Sequence, residues 1–115
     1  MSEDTLFHRI LRREIPSDSV YEDDEVLAFR DINPQAPTHV LVIPKHYRAD
    51  FAELKEADPV EIGVFMRGVA RVAHRLGLEE NGYRVVFNTG RDALQSVPYI
   101  HAHILGGRRL KWPPG

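Results

Sequence analysis

Between residues 4 and 13, apolar side chains recur at helical spacing. Leu6, Phe7, Ile10 and Leu11 fall to one side, and Arg9, Arg12 and Arg13 to the other. The pattern predicts a short amphipathic helix with Asp4 as N-cap and Pro16 as its stop. Two short strands follow at 20–22 and 26–30, joined at Asp23-Asp24. Residues 31–38 carry two prolines among turn formers and read as a loop. That loop feeds residues 39–43, an apolar, β-branched run expected to be a buried strand. After Pro44 a polar connection leads to the strongest helical stripe in the chain: Ile62, Phe65, Met66, Val69, Val72, Ala73 and Leu76. Asp58, Pro59 and Glu61 supply a cap, a first-turn proline and a capping acid, and Gly77 stops the helix. Residues 83–88 read as a further strand, 89–94 as a turn-rich loop, and 98–105 as the last strand before Gly106-Gly107.

The order is helix, three strands, helix, two strands. Most strands have no helix between them, so a parallel wind is disfavoured. The expectation is an α+β fold whose antiparallel sheet carries its helices on one face. No repeat, linker or low-complexity segment interrupts it, and residues 1–115 read as a single domain.

Composition narrows the function classes. A net charge of −2 leaves no global field to attract nucleic acid or an anionic membrane, and Arg108, Arg109 and Lys111 are too short a run to make a basic patch. There is no cysteine, which excludes disulfides, thiolate metal sites and a cysteine nucleophile. The first four residues lack a secretory pattern, and no stretch approaches the ~20 apolar residues of a membrane span. A soluble, cytoplasmic protein is expected.

Candidate chemistry lies in the histidines. Along Tyr99-Ile100-His101-Ala102-His103-Ile104, strand alternation sends Tyr99, His101 and His103 to one face and the aliphatic residues to the other. Two imidazoles about 6.6 Å apart along a strand concentrate groups that titrate near neutrality. Three readings follow: a half-exposed strand that carries histidine, a metal site with His39 as third ligand, or phosphorus chemistry with imidazole as nucleophile. Asn88, Gln95 and Ser96 are neutral donors beside this strand, and no acid lies within six residues of His101, the nearest before it, Asp92, being nine positions away. That setting favours the third reading over the second.

The run from Gln95 to Gly107 resembles the histidine triad (HIT) signature, His-φ-His-φ-His-φ-φ with φ apolar, and is most similar to the branch of histidine triad nucleotide-binding proteins. Asp4-Thr5-Leu6-Phe7, Arg12 to Pro16, Tyr21 to Asp24, Ala28 to His39, Val42 to Lys45 and Trp112 to Gly115 extend the resemblance over nearly the whole chain. It implies a five-stranded antiparallel HIT fold with two helices, assembled as a homodimer. It also implies a purine nucleoside phosphoramidase that needs no metal or other cofactor and acts at the α-phosphorus of a mononucleotide such as AMP or adenosine phosphoramidate. By matched position, His101 is the nucleophile, forming a nucleotidyl-histidine. His103 and His39 hold phosphate oxygens, and Ser96 and Asn88 bond the phosphate or leaving group. Asp31 takes the ribose hydroxyls, while Phe7, Ile10, Ile15, Phe29, Ile32 and Leu41 wall the base, and Trp112 approaches the partner's site. Tyr99 stands where the signature has its first histidine. It keeps a hydroxyl and loses the charge switch, so altered pH dependence or substrate range is expected. The alternative is a purine nucleotide-binding module without turnover.

Overall fold

The computed structural model describes residues 4–115; the N-terminal reading at Met1 to Glu3 lies outside them. Helix α1 (Leu6–Leu11) is followed by strands β1 (Ser19–Glu22), β2 (Val26–Arg30) and β3 (Thr38–Pro44). A 3₁₀ turn (Phe51–Glu56), helix α2 (Pro59–Arg75), β4 (Tyr83–Val86) and β5 (Ala102–Gly106) complete the chain. The sheet runs β1-β2-β3-β5-β4, antiparallel at every pairing.

Register decides what faces where. Phe29 pairs with Leu41 and Leu41 with His103, so these three share a face. Ala28, Val42 and Ala102 share the opposite one, as do Val40 and Ile104, and all five are fully buried. Helix α2 covers this second face with Phe65, Val69, Val72 and Ala73. It approaches so closely that a Cβ on Gly68 would stand 2.8 Å from a Val26 methyl. Helix α1 lies on the first face, where Phe7 meets Phe29 edge-on at 5.4 Å. The two helices therefore sandwich the sheet, and the expectation of helices on one face is corrected. A central strand buried on both sides, as β3 is, requires cover on both.

Helix α2 begins as expected, Asp58 accepting from the Val60 N–H. Its buried stripe is narrower than the sequence pattern, because Met66 remains exposed. The cap of α1 is Thr5 rather than Asp4. The Thr5 hydroxyl takes the His8 N–H, and His8 Nδ1 takes the Thr5 N–H at 3.1 Å, a capping box with imidazole in the usual place of glutamate. The last strand starts at Ala102, later than expected. Pro98 has no N–H, the Tyr99 N–H turns back to the Val97 carbonyl, and the Ile100 N–H goes to Arg48. The polar connection contains the 3₁₀ turn, capped by Asp50.

Candidate active site

A cleft of about 240 Å³ opens on the α1 side of the sheet. Its apolar wall comes from α1 (Leu6, Phe7, Ile10), β2 (Phe29) and β3 (Leu41), with Ile32 fully exposed at the rim. His101, His103, Ser96 and Asp31 complete one part of the lining. Nearly all the expected apolar residues thus meet four of the expected polar ones, Asp31, Ser96, His101 and His103, in a single cavity.

The imidazoles form an ordered set whose protons follow from their partners. His101 is only 5% exposed yet lines the cleft. Its Nδ1 lies 2.7 Å from the Tyr99 carbonyl, which can only accept. The proton therefore sits on Nδ1, and Nε2 keeps its lone pair. Phe7 meets the His101 ring edge-on at 5.0 Å and fixes it from the α1 side. His39 Nδ1 accepts the Gln35 N–H at 3.0 Å, which puts the His39 proton on Nε2. That N–H donates to His103 Nδ1 at 2.9 Å, leaving the His103 proton on its own Nε2. Asp31 Oδ2 stands 3.4 Å from His39 Nε2, and its other oxygen takes the Asn33 N–H at 2.8 Å. Asp31 thus shapes its turn and lines the cleft at once.

Burial sets the charge state. Desolvation pulls His39 and His101 below the ordinary imidazole value, Asp31 opposing it in both, and pushes His103 down to about 4. In the free protein the flanking rings are neutral at pH 7. Of the two, only His103 keeps an N–H, on Nε2, to offer a phosphate, because the His39 N–H is taken by His103 Nδ1. Among the described residues the Ser96 hydroxyl has no hydrogen-bond partner and remains free to act as a donor.

Other expected residues stand elsewhere. The Tyr99 ring is fully buried, its hydroxyl donating to the Pro44 carbonyl at 2.5 Å. Phe7 lies between it and the cleft, contacting Tyr99 and His101 in turn. The Asn88 amide donates to the Ala93 carbonyl at 2.9 Å and braces the 89–96 loop. Ile15 packs against the core beside the cleft. His39 is buried behind His103. Trp112 is 79% exposed and stacks over Arg84 of β4, away from this chain's own cleft. Sequence reasoning missed Pro16, Ser17, Asp18 and Arg30, which also line the cavity. It also gave His8 no role, and His8 caps the helix that walls the site. Among the described residues the metal-capable group is Asp31, His39 and His103, whose ligand atoms lie within 4.8 Å of one another. His101, one of the three expected metal ligands, is absent from it.

A five-stranded antiparallel sheet, with one imidazole on its last strand, another immediately before that strand and an apolar cleft above them, is the arrangement of a HIT domain. The HIT domain family matches residues 12–110, and the chain belongs to it. It is 47% identical over 110 residues to the purine nucleoside phosphoramidase of Escherichia coli K12, covering 96% of this chain and 92% of that one. It is 51% identical over 113 residues to a 14 kDa zinc-binding protein of Zea mays, covering 96% and 88%. The crystal structure of a HIT family hydrolase from Legionella pneumophila superposes with a TM-score of 0.91 at 45% identity, covering 97% of this chain and all of that one. The chain takes its place among HIT family hydrolases.

Proposed function

We propose that the protein is a purine nucleoside phosphoramidase working through a nucleotidyl-histidine. The observation that carries this is the 2.7 Å bond from His101 Nδ1 to the Tyr99 carbonyl. It holds the ring in the one tautomer whose Nε2 is a nucleophile, in the wall of a cleft built for a flat apolar base. His101 Nε2 forms a bond to the α-phosphorus as the phosphorus–nitrogen bond to the leaving amine breaks. The bonding pair goes to the amine nitrogen, which takes a proton from Ser96. Water then attacks phosphorus and gives a proton back to the Ser96 oxygen, the P–N bond to His101 breaks with its pair returning to Nε2, and the nucleoside monophosphate leaves. Charge gathering on the phosphate oxygens is met by the His103 Nε2–H, oriented through His39. Asp31 serves the ribose. A bound phosphate also opposes the desolvation of these rings, so substrate raises their affinity for protons.

Hydrolysis of adenosine 5′-phosphoramidate in the presence of a chelator tests the reading. Wild type releases ammonia, and His101→Ala loses at least about a thousandfold in kcat/KM. AMP binding that survives without any release of amine supports the non-catalytic module instead.

A second reading rests on the Asp31, His39 and His103 cluster. Two imidazoles and a carboxylate suit zinc with an open fourth position, once the proton between His39 and His103 is displaced. Stoichiometric zinc in the purified protein, with activity lost in chelator, supports that alternative. We further propose a homodimer. Edge strand β4 leaves Tyr83 and Val85 partly exposed, and the exposed Trp112 ring lies under the Arg84 guanidinium of the same strand. Light scattering at micromolar concentration is expected to give twice the chain mass.

A further inference from the structure

The polar residues in the cleft lining fall into two groups. His101 and His103 are buried or half-buried and form its floor, with Asp31 and Ser96 beside them. Asp18 and Arg30 line the same cavity but have side chains 73% and 48% exposed, which puts them at its rim. They are joined twice. The Arg30 N–H donates to the Asp18 carbonyl at 2.9 Å, and Arg30 Nε stands 3.5 Å from Asp18 Oδ2. Among the described residues neither charged group has another side-chain partner. The reaction scheme above uses neither.

A purine seated between Phe7, Ile10, Phe29 and Leu41, with its ribose at Asp31, cannot turn its polar edge into those walls without losing hydrogen bonds. The edge must face the rim, where this pair waits. A carboxylate only accepts and a guanidinium only donates. Guanine presents two adjacent N–H donors, N1–H and N2–H, with the O6 acceptor next to them. Two parallel N–H bonds to one carboxylate, with the guanidinium on O6, satisfy every group. Adenine offers one N–H donor and turns the N1 lone pair toward the same carboxylate.

We infer that Asp18, braced by Arg30, reads the base edge and makes the cleft prefer guanine over adenine nucleotides. This rests on the phosphoramidase reading of the floor and adds a specificity element at the rim. The pair is solvent-exposed, so the expected preference is modest, about tenfold in kcat/KM.

The test compares guanosine, inosine and adenosine 5′-phosphoramidates on the full chain, with GMP and AMP binding followed by calorimetry. Guanosine is expected to exceed adenosine about tenfold, with inosine, which lacks the 2-amino donor, between them. Asp18→Ala should bring the guanosine-to-adenosine ratio close to one, in turnover and in binding. Equal or better use of adenosine by wild type, or an unchanged ratio in Asp18→Ala, overturns the inference while leaving the phosphoramidase reading intact. Loss of all amine release, with GMP still bound more tightly than AMP in an Asp18-dependent way, supports the rim and removes the reaction scheme.

Discussion

Tyr99 shows how one residue can lie next to a reacting group and still not face the substrate. Its carbonyl holds the His101 proton, while its ring and hydroxyl point into the core, where burial raises the hydroxyl well above its ordinary value. The hydroxyl is a tether between the end of β3 and the segment that leads into β5. Tyr99→Phe leaves the Pro44 carbonyl without that donor and is expected to cost about 1–3 kcal/mol of stability by chemical denaturation. Turnover at pH 7 should largely persist, because the backbone carbonyl remains. Leu94 shows the opposite economy. It holds φ +62° with its side chain 84% exposed, a left-handed backbone with no packing in return. Leu94→Gly is expected to stabilise the protein by about 1 kcal/mol, seen as a rise of a few degrees in Tm.

At the scale of elements, what was legible in the sequence is what local signals control. Helix α2 carries its own cap, first-turn proline and stripe, and it forms over the residues that those signals mark. Strands β2 and β3 follow from runs of β-branched and aliphatic residues. The start of β5 was not legible, because Pro98 and the bond from Ile100 to Arg48 displace it, and the latter is a tertiary partner. The site divides the same way. Strand alternation is enough to point to His101 and His103. The link from His39 to His103 spans 64 positions, and the join of Asp18 to Arg30 spans two elements; neither has a periodic signal. His8 was invisible because imidazole is an unusual partner in a capping box. The bond from the Asn88 amide to the Ala93 carbonyl within its own loop likewise carries no periodic signal. Packing of α2 on the sheet gives a direct test: Gly68→Ala places a methyl against Val26 and is expected to destabilise by about 1–3 kcal/mol, measured by denaturant titration.

The whole molecule should show its buried imidazoles in the pH dependence of stability. His39, His101 and His103 all bind protons less readily when folded, so the unfolded chain takes up more as pH falls below the ordinary 6.5. Stability is therefore expected to fall from about pH 6.5 toward pH 4, where His103 itself charges. That ring alone is worth on the order of 3 kcal/mol at the bottom of the window. Further acidification then discharges Glu22, held low by Lys45 and Arg13, and Glu61, held low by Arg48. Thermal melts in steps of pH would trace this curve, and a flat profile between 6.5 and 4 would contradict neutral buried rings. No described helix is long and apolar enough to cross a membrane.

The measurement closest to the centre of the account is rapid acid-free quenching of a single turnover with guanosine or adenosine 5′-phosphoramidate, followed by intact and peptide mass spectrometry. The account predicts a transient protein carrying one nucleotidyl group, mapped to His101 and absent from His101→Ala. Amine release from wild type with no such adduct at any time, or an adduct on a different side chain, would contradict it.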